Sequence, residues 1–244
     1  MNRIVDQFAR LKRAGQKGFV VYIGAGDPDL ETTRQLALAF DRAGVDVLEL
    51  GVPFSDPLAD GLVNQLAAQR GLESGTTPPK LLETVAAIRR DSQIPIVLYI
   101  YFNLIHRVGL DSFIAAAAAA GVDGLLVLDL PPEESERYEA LMSAAGLCHI
   151  YLVAPTTPDD RMALIVRRGS GFIYYIIQRY NHCGGHWFRY HWYSFCNHWF
   201  RYKHLCEYVH GQCITCHPNF FTFFCHYRPG CYSYFLCSRC WWYL

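Results

Sequence analysis

Hydrophobic positions over the first 175 residues follow two alternating rhythms. Short runs that are apolar at nearly every position occur at 18–26 (GFVVYIGAG), 45–53 (VDVLELGVP), 94–101 (IPIVLYIY), 124–130 (GLLVLDL), 149–155 (HIYLVAP) and 171–177 (GFIYYII). Bounded by Gly, Pro and Asp, they predict six β-strands. Between them, at 29–44, 62–74, 78–92, 110–121, 132–146 and 158–170, apolar residues recur every three or four positions and predict helices. Leu36, Ala39, Phe40 and Ala43 form one such face ahead of Gly44, Pro78 opens another helix, and acids crowd the start of 132–146, where the helix dipole favours them. The first 15 residues are charged and amphipathic, with Ile4, Phe8 and Leu11 on one helical face.

Strict βα alternation with strands apolar on both faces means a parallel sheet covered by helices. A local repeat supports it: RAGVDVLEL (42–50) and AAGVDGLLVLDL (119–130) are the same helix end, AGVD turn, strand and terminal acid. Short turns at strand starts and longer Pro/Gly-bearing loops at strand ends favour a (β/α)8 TIM barrel over a doubly wound sheet. Six of its βα units are readable in residues 1–175. The glycines of GAGDPD after the first strand lack the third glycine of a dinucleotide fingerprint.

Composition changes this picture only at the end of the chain. The 244 residues have zero formal net charge, which gives no general case for nucleic acid or an anionic membrane. No run is long and apolar enough to span a bilayer, and the amino terminus lacks a signal-peptide core, so a cytoplasmic protein is expected. Residues 1–175, however, carry 16 Lys and Arg against 21 Asp and Glu, while 176–244 carry six against one. The last 69 residues also hold nine of the ten cysteines, eight of the ten histidines, all five tryptophans and no Ala, Asp or Met, so they are a separate compositional regime.

In a barrel of this kind chemistry sits at the carboxyl ends of strands. Glu49 lies there, and because Leu48 and Leu50 alternate away from it, its side chain is expected to point into the barrel mouth. A carboxylate inside an apolar strand is costly unless paired or functional. Asp60 follows eleven residues later, in a loop where Asp56 also stands. On the residues alone, a turn residue is the commoner reading of either loop acid.

The stretch ELGVPFSDPLADG (49–61) closely resembles the signature of the tryptophan synthase alpha subunit family, and the likeness extends in order through YIGAGDPD (22–29), IPIVLYIYFNLIHRVG (94–109), GVDGLLVLDLPPEES (121–135) and GFIYY (171–175). The resemblance implies a lyase of tryptophan biosynthesis that cleaves indole-3-glycerol phosphate to indole and glyceraldehyde 3-phosphate by a retro-aldol step. It implies Glu49 as the general acid/base, which protonates indole C3 and takes the glycerol hydroxyl proton. It implies Asp60 as the acid facing the indole N–H and stabilising positive charge there. Tyr22, Tyr101 or Phe102, and Tyr174 or Tyr175, match aromatics of the substrate pocket, with core packing as the competing reading for each. Asp129 matches an acid that helps place the loop after the second strand. Pro53, Phe54 and Asp56 match positions that touch a beta subunit, in an expected α2β2 assembly; pyridoxal phosphate would belong to that partner, and this chain is expected to need no cofactor. Two departures point to a looser loop: DGLVNQ stands where the family more often has DGPxIQ, and Gly24 where Thr is common.

The resemblance stops after Tyr175. The family's G-V-T-G loop, its last two βα units and its Gly-rich phosphate site have no counterpart in 176–244. That segment is expected either to occupy the place of the last two units or to be foreign to the barrel, such as a frameshifted extension; its composition favours the second. Two rival readings stay open: a metal module through Cys213, Cys216, Cys237 and Cys240, spaced C-x2-C-x20-C-x2-C, or a disulfide-rich segment. The functional alternatives are therefore an impaired barrel remnant that only docks a beta-type partner, a metal-binding protein, or another sugar-phosphate lyase.

Overall fold

The computed structural model describes residues 2–176. Six strands, β1 (Val20–Gly24), β2 (Val47–Gly51), β3 (Ile96–Ile100), β4 (Gly124–Val127), β5 (Cys148–Val153) and β6 (Ile173–Tyr175), pair in chain order. Every pairing is parallel. Helices α1 (Arg3–Arg13), α2 (Leu30–Arg42), α3 (Leu62–Glu73), α4 (Pro78–Ile88), α5 (Phe102–Val108), α6 (Leu110–Ala120), α7 (Glu136–Ala144) and α8 (Asp159–Arg168) connect them. This is the curled sheet of a (β/α)8 barrel through its sixth unit. A seventh and eighth strand, the tail cysteines and the phosphate loops all fall outside the described residues. No helix among the described residues is long and apolar enough to cross a membrane.

Strand alternation separates two cores. Leu48, Leu50, Ile96, Leu98 and Leu125 face outward and pack with Leu81, Val85, Ile88 and Phe113 of the helices. Val47, Val97, Leu126, Ile150 and Tyr174 face inward. The lower interior is closed by α1, whose Ile4, Phe8 and Leu11 are buried there; Phe8 meets Phe172 edge-on at 5.6 Å. Burying side chains of this size contributes about 1.5–3 kcal/mol each. The amphipathic period predicted this helix, but its place under the barrel comes from tertiary packing.

The AGVD repeat has its explanation at the same end. Asp46 and Asp123 precede β2 and β4. Each accepts a hydrogen bond from a backbone N–H at the start of the preceding strand: Asp46 from Phe19 at 2.8 Å, Asp123 from Ile96 at 2.8 Å. Each also holds α1, Asp46 through Gln7 and Arg10, Asp123 through Arg3 at 2.9 Å. Asp123 further pairs with Arg89 at 2.7 Å, and burial pulls that guanidinium down to about 10. The repeat is thus a stability device at the bottom of the barrel.

Two helix expectations change. The stretch after the third strand contains the seven-residue α5, unread in the sequence because it starts directly where β3 ends. The helix expected over 132–146 is split into a 3-10 turn (Pro132–Glu134) and α7. Buried Ser135 lies at the break, and its hydroxyl bonds Pro132 O and Glu139 rather than capping a continuous helix.

Candidate active site

Glu49 projects from β2 into the barrel between Tyr22 of β1 and Val97 of β3, its register partners. The residue has no exposed surface, and neither carboxyl oxygen has a hydrogen-bond partner. With no compensating donor, burial alone pushes its pKa up to about 8. At neutral pH the group is therefore mostly a protonated acid that becomes a strong base once it gives up its proton, which is the profile of a proton shuttle.

Asp60 sits above it on the loop between β2 and α3. Tyr99 Oη donates to Oδ1 at 2.8 Å, and Tyr101 Oη donates to Oδ2 at 2.8 Å. Asn64 Nδ2 adds a contact to Oδ1 at 3.3 Å. Tyr101 Oη also accepts from the Ala59 N–H at 3.0 Å, so it ties down the loop backbone beside the acid. A narrow cleft of about 10 Å³, room for little more than one water, is lined by Tyr22, Gly51, Phe54, Asp60, Tyr99 and Tyr101, together with Gly24, Asn64 and others. Burial raises the Tyr22 and Tyr174 phenols, and the charges of Asp60 and Glu49 raise them further, so both hydroxyls lie in the field of both acids. The Tyr22 and Tyr99 rings meet edge-on, with centroids 5.2 Å apart.

The structure sorts the other expected residues. Tyr22 and Tyr101 line the cleft. Phe102 does not: as the first residue of α5 it packs against the outer core, since it follows Tyr101 by one position and leaves the strand's inward face. Tyr175 is likewise corrected. It packs outward with Tyr151, Val153 and Ile165, whereas Tyr174, paired with Leu152, takes the interior position of β6. Asp129 accepts the Phe102 N–H at 2.6 Å and so caps α5; no bond from it reaches the loop after β2 in the described structure. Among the expected partner contacts, Pro53 is buried against α3 near Gly71, Phe54 is half-buried with its ring 5.0 Å from Tyr101, and Asp56 is exposed. Pro53 thus offers no free surface. Leu58, 84% exposed, was not singled out by the sequence and stands open beside Asp56.

Tyr99 was also missed. The signal was there: it stands two residues before Tyr101 in the same extended stretch, so the two share a face. The two departures from the family pattern are both structural at this site. At Gly24 a Cβ would lie 3.3 Å from Ala67 Cβ, so the glycine lets α3 press on β1. Leu62 occupies the first position of α3, 69% exposed, and the Gly61 cap supplies no side-chain bond.

Gly51 has a different reason to be glycine. Its missing side chain makes room for the Tyr22 ring, and a Cβ would fall 2.7 Å from Tyr22 Cζ. Because Tyr99 blocks the ring's other side, Gly51→Ala is expected to displace Tyr22 into the cleft. Overpacking of this kind costs about 1–3 kcal/mol of stability. A misplacement of that size should also lower turnover by about 100-fold. Denaturation and a rate assay on one preparation check both; unchanged turnover would mean Tyr22 does not shape the site.

Known proteins share this sequence and this fold. The sequence pattern of the family described as "Tryptophan synthase alpha chain" matches residues 8–179. The tryptophan synthase alpha chain of Geobacter sp. (strain M21) is 52% identical over 176 residues, covering 72% of this chain and 66% of that one. The alpha chain of Geotalea daltonii is 49% identical, covering 72% and 67%. Among solved structures, tryptophan synthase subunit alpha from Legionella pneumophila str. Paris superposes with a TM-score of 0.69 at 40% identity, covering 72% of this chain and 68% of that one. A tryptophan synthase complex from Pyrococcus furiosus gives a TM-score of 0.63 at 40% identity, covering 65% of each chain. The chain spans about two thirds of the length of the curated relatives it matches. The barrel units, the two-acid mouth and these matches together place it: the chain belongs to the tryptophan synthase alpha chain family.

Proposed function

We propose that residues 1–175 form the catalytic portion of a cytoplasmic lyase that cleaves indole-3-glycerol phosphate to indole and glyceraldehyde 3-phosphate. The observation that carries this reading is Glu49: a fully buried carboxyl group, unpartnered at both oxygens, with its pKa raised to about 8, beside Tyr22, which lines an aromatic cleft together with Asp60.

The chemistry needs such a pair. Without a proton on C3 the ring would have to leave as a carbanion; once C3 is protonated it can take the C–C pair and leave as neutral indole. Protonated Glu49 delivers that proton, forming an indolenine whose ring nitrogen is electron-poor. Asp60 accepts the N–H hydrogen bond and stabilises the positive charge. The Glu49 carboxylate then removes the proton from the hydroxyl on the carbon attached to C3. The O–H pair becomes the aldehyde C=O, the C–C pair returns to the ring, and Glu49 is again protonated. The cycle consumes no external acid or base. Tyr22, Tyr101 and Tyr174 wall the ring's position, and Asp129 acts indirectly by capping α5. Glu49 has no surface of its own in this state and does not line the cleft, so substrate entry must open a path to it.

The exposed Asp56 and Leu58, with the half-buried Phe54, form the face offered to a beta-type partner in an α2β2 assembly. Pyridoxal phosphate belongs to that partner in this reading. The test is to incubate the full chain with indole-3-glycerol phosphate, with and without a tryptophan synthase beta chain, and to measure indole and glyceraldehyde 3-phosphate. Equal amounts of both are expected. No indole in either condition at high enzyme concentration would overturn the reading, and capture of the beta chain without turnover would identify a docking remnant.

A further inference from the structure

A loop acid that must meet one ring N–H needs something rigid to aim it, and the loop after β2 has no such element of its own. The rigid element here is β3. Tyr99 is paired on both sides, with Gly51 of β2 and Leu126 of β4, so its hydroxyl is placed by the sheet. It donates to Asp60 Oδ1 at 2.8 Å. Asn64 reaches the same oxygen at 3.3 Å, and Tyr101 holds Oδ2 at 2.8 Å. A carboxylate offers about four acceptor directions. Three are taken, which leaves one for a single donor from the cleft.

We propose that Tyr99 is a positioning residue for Asp60, fixing the carboxylate so that its one remaining acceptor direction meets the N–H of a flat heteroaromatic substrate. This rests on the functional reading above and deepens it: the site selects a ring with one in-plane N–H donor. Tyr101 cannot do this alone, because its hydroxyl also accepts from the Ala59 N–H and moves with the loop's backbone. Burial and the Asp60 charge raise the Tyr99 phenol far above its ordinary value, so it remains a donor at any working pH.

The test is a double-mutant cycle with Tyr99→Phe and Asp60→Asn on the full chain, following indole release and thermal midpoint. Tyr99→Phe keeps the ring and its edge contact with Tyr22. Losing a hydrogen bond to a charged group should lower turnover about tenfold and weaken indole binding in parallel. In the Asp60→Asn background the same change should alter turnover by under about twofold, because the group it acts through is gone. Equal losses in both backgrounds would overturn the proposal, as would a Tyr99→Phe protein that no longer folds, since both mean packing rather than aiming. Indole affinity, measured by calorimetry on the same four proteins, separates the two readings. If wild type releases no indole, the functional reading fails, while weaker indole binding by Tyr99→Phe only when Asp60 is present still supports the positioning role. Affinity unaffected by Tyr99→Phe in either background overturns it.

Discussion

Replacing Glu49 by Gln is expected to make the protein about 100- to 10,000-fold slower in releasing indole, and at the same time more stable. The two effects have one cause. The amide is isosteric and fits the same buried place, but it can neither give a proton to indole C3 nor take one from the hydroxyl. The stability gain follows from the raised pKa, about 8 in the fold against 4.5 for the ordinary group. Below pH 4.5 both folded and unfolded chains keep the proton, and Glu49 has no titration penalty. As pH rises toward 8 the unfolded chain releases its proton while the folded chain retains it, so stability falls by about 1.4 kcal/mol per pH unit. At pH 7 that amounts to about 3 kcal/mol, and above pH 8 the loss is complete. Glu49→Gln does not titrate, so urea unfolding at pH 5 and pH 7.5 should show the variant's advantage growing with pH. A gap independent of pH would mean that the carboxyl group is not desolvated in solution. Near-normal turnover would remove it from the reaction.

Asp123→Ala is expected to be the most destabilising single change at the bottom of the barrel, by about 3–5 kcal/mol, because it leaves a buried guanidinium without its counter-charge. Arg89 keeps only 10% of its side chain in solvent, and Asp123 only 3%. The variant also orphans the Ile96 N–H inside the sheet. Asp46→Ala is the matched control. It removes the equivalent bond, to the Phe19 N–H, but its arginine, Arg10, is 56% exposed and 3.4 Å away, so water replaces the partner. A loss of about 1–2 kcal/mol is expected there. Equal losses for the two would show that backbone bonding, not charge burial, dominates. Neither acid touches the mouth, so the fraction of each variant that folds should turn over normally.

Much of the architecture was legible beforehand because strand and helix periods are local properties. Six apolar runs became β1–β6 with ends shifted by a few residues, and the Ile4, Phe8 and Leu11 stripe became the buried face of α1. The motif at 49–61 marked the two acids at the mouth. What failed was the choice between adjacent residues. For Tyr174 and Tyr175, alternation says that the two point oppositely, but only the pairing of Leu152 with Tyr174 decides which one is inside. For Tyr101 and Phe102, the chain passes from β3 into α5 at that point, and the change of period carries Phe102 outward.

The sequence by itself determined the alternating units and the parallel sheet, since both are written in side-chain spacing along one segment, and Glu49 and Asp60 were marked by the likeness of 49–61 to a family motif. Tertiary structure alone decided what those acids are chemically. Glu49 is a high-pKa acid because strands on either side strip it of water without offering a donor, and Asp60 is held because Tyr99 and Tyr101, about 40 residues away in sequence, bring hydroxyls to it. Desolvation and hydrogen-bond geometry depend on neighbours from other strands, and no local pattern encodes them.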